Sequence, residues 1–205
     1  MDLPSKHLNE AVEQLASLPS IGKRSALRLV LSLLKREDKD LERFASAFFD
    51  LKKKINFCKS CGNITDSDIC RICVNPKRDH QTICIVEDIR DIMAIESTGS
   101  FQRIYHVLGN VISPIDGVGP DDLNLDKLLE KVESGEVKEV IFALSATMEG
   151  DTTNFFIYKK LKPFSLEIST LSRGVAVGSE LHYADELTLG RSISQRLPFE
   201  STFDN

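Results

Sequence analysis

Hydrophobic positions follow two different rhythms along this chain, and the change comes near residue 80. Over the first 55 residues apolar side chains recur three or four apart, the spacing that gathers them on one face of a helix. Leu8, Ala11, Val12, Leu15 and Leu18 form one stripe, with Pro4 suited to its start. Ala26, Leu29, Val30, Leu33 and Leu34 form a second, after Pro19 and Gly22 have broken the chain. Leu41, Phe44, Ala45, Phe48 and Leu51 form a third, from Asp38 towards Ile55. The pattern predicts two helices joined by a tight turn with a central glycine, then a third helix ending in LKKK.

From residue 82 short apolar runs replace the stripes. TICIVE, RIYHVL, EVIFALS and LEIST read as strands; DIRDIMAIE, DDLNLDKLLEKVESG and DTTNFFIYKKL between them read as helices. Such alternation predicts an α/β domain with a mainly parallel sheet, whose functional groups gather beyond the carboxyl ends of the strands. That rule singles out Glu87 after the first strand and ATMEGD after the third. Cys84 reads as a buried strand residue, and His106 and His182 as structural, since neither has a metal or nucleophile partner in sequence.

The 205 residues, 41% hydrophobic and 28% charged, suit one or two globular domains. No apolar run approaches the roughly 20 residues that span a bilayer. MDLPSKHLNEAVEQL is amphipathic rather than a charged segment followed by an apolar one. The expected location is therefore the cytoplasm, with no membrane partner. The net charge of −5 is divided unevenly: residues 1–80 carry 15 Lys and Arg against 11 Asp and Glu, residues 81–205 carry 11 against 20. A basic front and an acidic back suit different partners, although solvated faces also vary in charge.

Four of the five cysteines fall within CKSCGNITDSDICRIC. In a reducing compartment paired CxxC turns read first as a metal site and only second as a redox or disulfide site. Each turn aims two sulfurs at one point, and Cys58, Cys61, Cys70 and Cys73 together complete a tetrahedral shell for one Zn²⁺. Four protein ligands leave no open position, which makes the ion structural. Lys59 and Arg71, one inside each CxxC, are expected to offset part of the net −2 charge. A segment this short cannot bury a core, so the metal is expected to stabilise it, as a rigid joint between front and back.

In the front half, the turn around Gly22 looks like a helix–hairpin–helix. There the backbone N–H groups of Ile21 and Gly22 and the start of the second helix face a DNA phosphate, reinforced by Lys23, Arg24 and Arg28. The alternative is a plain helical hairpin with solvated cations.

The order of these features carries a resemblance. IVED with AIE, then YHVLGNVISPIDGVGP, MEGDTT and ELHYADELTL, behind the hairpin and the four cysteines, resemble the bacterial RecR recombination mediators over nearly the whole chain. The resemblance implies a helix–hairpin–helix DNA-binding domain over 1–56, a zinc module over 57–79, a Toprim domain over 80–175 and a Walker-B-like helical tail over 176–205. It implies a homo-oligomer, a tetrameric ring, that binds single- and double-stranded DNA with RecO and RecF as partners and without catalytic activity. Ser20 stands where that family usually has glycine, and Lys23 and Arg24 where it has proline then lysine.

Catalytic Toprim domains look like a first-strand glutamate plus an Asp–x–Asp after the third strand, because Mg²⁺ needs several oxygens while charge develops on phosphate. This chain keeps Glu87, but aligned on Glu149–Gly150 the two aspartate positions are Ser145 and Thr147. With the trio incomplete, Glu87, Asp91 and Glu149 are expected to meet a basic partner, RecO by the resemblance, or simply to solvate the sheet edge. The tail LHYADE has no Gly–Lys–Ser/Thr phosphate loop to accompany it, so ATP hydrolysis is not expected. Tyr183, Leu187 and Leu189 are expected to pack on a neighbouring subunit. The rival readings are a metal-dependent Toprim nuclease or primase, and a zinc-containing protein scaffold.

Overall fold

The computed structural model of the chain describes residues 3–199; the outer ends of the expected hairpin domain and tail, residues 1–2 and 200–205, lie outside the described residues. The chain divides into two compact units between Ile55 and Asn56.

In the first unit, α1 (Lys6–Ala16), α2 (Lys23–Leu33) and α3 (Asp38–Lys54) follow one another. The first begins two residues after Pro4, because Ser5 caps it and accepts the N–H of Leu8. Val12, Ala26 and Val30 are buried between α1 and α2, ringed by half-buried Leu8, Leu15, Ile21 and Leu27. Leu29 and Leu34, predicted on this face, are 42% and 67% exposed, since two crossing helices cover only a narrow stripe of each other. Helix α3 buries none of its residues, and Phe48 and Phe49 stand 60% and 62% exposed.

The turn between α1 and α2 is built from Leu18 to Ile21, whose N–H donates to the Leu18 carbonyl at 3.2 Å. Pro19 occupies the position that wants φ near −65°, and Ser20 the next, with φ of +64°, as in a type II turn. A side chain in that left-handed region costs roughly 1 kcal/mol. Ser20→Gly is therefore expected to stabilise the hairpin by about 0.5 kcal/mol, the remainder being lost to the freer unfolded glycine. Urea unfolding measures this, and a lower midpoint for the variant would contradict the strain.

The second unit opens with a small antiparallel pair, β1 (Asn56–Phe57) and β2 (Ile64–Thr65). Then come β3 (Asp79–Val86), α4 (Ile89–Ser97), β4 (Arg103–Val107), α5 (Asp126–Glu133), β5 (Glu139–Phe142), α6 (Met148–Leu161), β6 (Glu167–Thr170) and α7 (Glu186–Ser194). The last four strands form one sheet in the order β4-β3-β5-β6, and every pairing in it is parallel. The long helix expected over DDLNLDKLLEKVESG is broken into a 3₁₀ turn at Pro120–Asp122 and α5. Leu123 and Leu125 lie between them, buried in the core.

The strands read as unbroken apolar runs because both faces of the sheet are covered. Alternation sorts their residues: Ile83 and Ile85, Ile104 and Leu108, Val140 and Phe142 meet Leu128 and Val132 of α5 and Ile157 and Leu161 of α6. The intervening Cys84 and Val86, Tyr105 and Val107, and Ala143 face the other way, onto Ile92 of α4 and onto Cys58, Cys61, Cys70 and Ile72. The four-cysteine segment is thus part of a shared core.

His106 lies on the α5 side, fully buried. Its Nε2–H donates to the Asn124 carbonyl, while Nδ1 has no partner among the described residues. Burial pushes its pKa down to about 4, against which the Asn124 bond acts only weakly. The unfolded chain takes up this proton near pH 6.5 and the folded chain does not until pH 4. Its contribution is complete above pH 6.5 and lost as pH falls towards 4, by about 3 kcal/mol in all. Urea unfolding at pH 7 and pH 4.5 is expected to show a smaller loss for His106→Gln than for the parent; equal losses would contradict the assignment.

Candidate metal centre and nucleic-acid interface

Two tight turns bring the sulfurs together. The Gly62 N–H donates to Cys58 O at 2.9 Å and the Val74 N–H to Cys70 O at 3.1 Å. Among the described residues the four cysteines form the one group of three or more thiol, imidazole or carboxylate ligands placed to hold a metal, all four sulfurs lying within 4.8 Å of one another. Cys61 and Cys70 Sγ are 3.6 Å apart, too far for a bond and close to the edge of about 3.8 Å that a tetrahedron with 2.3 Å Zn–S bonds requires. Backbone amides already point at the ligands, Cys70 N–H at Cys58 Sγ (3.3 Å) and Asn63 N–H at Cys61 Sγ (3.5 Å). The hydrogen bond between Cys61 and Cys70 holds the Cys70 thiol down and pushes the Cys61 thiol up. The donor set, its closed shape and its amides fit one structural Zn²⁺, which would be held by Cys58, Cys61, Cys70 and Cys73. Cys84 stays apart, its thiol pushed up to about 12 by burial.

The centre is fastened to the sheet rather than hinged from it. The Val107 N–H of edge strand β4 donates to Cys61 O at 2.8 Å, which leaves that edge covered. Gly62, at φ of +79°, sits so close that a Cβ there would lie 2.5 Å from Asn124 Nδ2. Behind the cysteines, Arg78 reaches Glu96 through both terminal guanidinium nitrogens (2.9 and 2.5 Å) and Arg103 O at 2.9 Å, and Tyr105 Oη donates to Glu96 at 2.7 Å. Sequence spacing could not reveal this network, because its members lie on α4, on β4 and in the turn before β3. Lys59, expected to balance the thiolates, is instead paired with Asp68 at 2.7 Å on the surface.

In the first unit, Gly22 is the N-cap of α2 and supplies no side-chain hydrogen bond, so the amides of the first turn point outward without one. The Ile21 amide is already used by Leu18. Lys23 and Arg24 open the helix, and no acid accompanies them. Positive side chains at a helix start oppose its dipole. Helices α3 and α6 obey the dipole, with acids first and lysines last. Lys23 pairs with Glu13 of α1 at 2.8 Å, whereas Arg24 and Arg28 border an open groove with Leu27, Leu31 and Lys35.

At the carboxyl ends of the strands, Glu87 accepts a hydrogen bond from Ser145 Oγ at 3.3 Å, so the structure brings β3 and the β5–α6 turn together. Asp91 is engaged locally: Oδ2 accepts the amides of Glu87 (3.0 Å) and Asp88 (3.1 Å) in a capping box. Thr147 caps α6 by accepting from Gly150 N–H at 3.1 Å, and Glu149 stands in its first turn. A Cβ on Gly150 would lie 2.0 Å from Ser145 O, so only glycine allows that turn. Asp151 binds Arg173 at 2.5 and 3.1 Å, which holds its carboxyl below the usual range. In the tail, Asp185 of LHYADE caps α7, accepting from Thr188 N–H (2.9 Å) and Oγ1 (2.6 Å). Tyr183 and Leu187 are 79% and 64% exposed, and Leu189 is half-buried.

Comparison with known proteins matches these parts in order. Residues 8–50 match the RecR helix-hairpin-helix, 55–75 the RecR four-cysteine zinc finger domain, 81–172 the Toprim domain and 174–196 the RecR C-terminal region. The chain is 57% identical to a recombination protein RecR of Flavobacterium johnsoniae and 56% to that of Flavobacterium psychrophilum, each over 205 residues and the whole of both chains. With the RecR of Parabacteroides distasonis it shares 54% over 202 residues, 98% of this chain and 97% of the relative. With a hairpin, a four-cysteine centre and a parallel Toprim sheet all in place along full-length relatives, the chain belongs to the RecR family of recombination proteins.

Proposed function

We propose that the chain is a non-enzymatic mediator of DNA repair and recombination in the cytoplasm, a clamp that grips single- and double-stranded DNA electrostatically. In this reading it acts with RecO and RecF to load recombinase onto strands coated by SSB. The observation that carries the proposal is the start of α2: a capless glycine, outward amides and two cations set against the helix dipole. A chain that accepts that local cost is using the site for an anion. Gly22, Lys23, Arg24 and Arg28 make up the DNA-binding surface, with Ile21 shaping the turn through its bond to Leu18 and Lys23 released from Glu13 as the phosphate arrives. Such contacts read phosphate, not bases.

One hairpin binds weakly, and several joined in one assembly gain from high effective concentration. The exposed Phe48 and Phe49 of α3, and Tyr183 and Leu187 of the tail, support a homo-oligomer, a tetrameric ring in our reading. Glu87 and Glu149 are the acids offered to a basic partner, with Asp91 supporting the turn that presents Glu87. Ser145 and Thr147 at the positions of the missing aspartates argue against phosphoryl transfer: one hydroxyl is bonded to Glu87 and the other caps α6. Anisotropy of labelled single-stranded DNA, titrated at several salt concentrations, tests the clamp. Affinity that falls linearly with salt on logarithmic axes is expected. No binding, or DNA cleavage with Mg²⁺ or Mn²⁺ that Glu87→Gln abolishes, would overturn it.

A further inference from the structure

Four thiolates around Zn²⁺ carry a net charge of −2, buried against the sheet, and Lys59, one of the two cations expected to balance them, is spent on the surface with Asp68. Lys131 of α5 presents the opposite problem. Its Nζ is buried and has no hydrogen-bond partner among the described residues. A buried ammonium left without a counter-charge loses its hydration with nothing in return. Lys131 and Cys73 line the same small cavity of about 150 Å³, together with Ser60, His80 and Glu136. His80 is turned to the Asn75 carbonyl at 3.1 Å, and Lys131 makes no ion pair with Glu136. The one negative charge that loading the site would add beside Lys131 is the thiolate shell itself.

We infer that Lys131, reaching from α5 into the cavity it shares with Cys73, is the charge partner of the zinc–tetrathiolate centre. It is a positioning and balancing residue, not a ligand, and it ties the metal to the Toprim helix layer 58 positions further along the chain than Cys73 (residues 73 and 131). The neighbouring cations Lys59 and Arg71, which adjacency in sequence favours, lie on the exposed side.

Transfer of zinc from the purified full chain to a chromophoric chelator tests this. Zinc content is measured first: a parent without zinc would sink the metal assignment, which is a different failure from an unaffected variant. Lys131→Met is expected to release zinc about tenfold faster than the parent, in the range that outer partners of metal ligands command, and Lys131→Arg to stay near the parent. Lys131→Gln, which keeps a polar donor but no charge, is expected to behave as Lys131→Met. In a Cys73→His background the shell carries −1, so the effect of Lys131→Met should shrink to about threefold. Parent-like release from Lys131→Gln, or an undiminished effect of Lys131→Met beside histidine, would overturn the inference.

Discussion

Stripping zinc from the reduced protein is expected to unfold the second unit, not merely to loosen the segment around the cysteines. Structural zinc contributes about 10–16 kcal/mol of apparent folding free energy in small modules. That is as large as the whole stability of an ordinary domain, about 5–15 kcal/mol. Here three of the four ligands are buried in one core with Cys84, Val86, Tyr105 and Val107, and Cys61 O holds the amide of edge strand β4. Removing the ion leaves four crowded thiols where a bonded shell belongs and uncovers one face of the sheet. The first unit has its own core of Val12, Ala26 and Val30, and should keep its helices. Hydrogen exchange after chelation checks both statements. Amides of β3 and β4 should lose protection while those of α1 and α2 keep it. Changes confined to residues 56–75 would show that the metal serves its own segment alone. Cys70→Ser should reproduce the chelated state, and Cys84→Ala should not, because Cys84 lies outside the shell.

Charge reversal at the hairpin is expected to separate stability from binding. Arg24 lies in the first turn of α2, where a positive side chain opposes the dipole and a negative one is favoured by about 0.3–1 kcal/mol. Arg24→Glu should therefore make the protein slightly more stable. The double variant Arg24→Glu with Arg28→Glu should at the same time weaken DNA binding by at least about a hundredfold near 0.1 M salt. It should also lower the steepness of the salt dependence by about two. These two arginines are preferable to Lys23, whose reversal would set a new acid against Glu13. Anisotropy and urea unfolding on the same samples decide the matter. Binding unchanged by the double variant would move the DNA site elsewhere. Binding and stability lost together would make the arginines structural.

Much of this was legible along the chain because it is local. The cysteine ligands lie within sixteen residues, so their spacing alone predicts the metal. The strands announce themselves as unbroken apolar runs, since both faces of the sheet are buried. The helix stripes are equally plain, but a stripe does not say what covers it: α3 carries one and buries none of it within its own chain.

What residue order determined, then, was the inventory: a hairpin with cations at its turn, a four-thiol shell, a parallel α/β sheet with Glu87 and Glu149 beyond its strands. Tertiary structure decided which of these groups are free to act. It bound Lys59 to Asp68, brought Ser145 onto Glu87, joined Tyr105 to Glu96, and seated the cysteines on the same sheet face as Cys84 and Tyr105. The reason is range. Turns, caps and ligand pairs are settled by neighbours a few positions apart, whereas burial and charge balance depend on contacts such as Arg78 with Glu96 that only the closed chain makes.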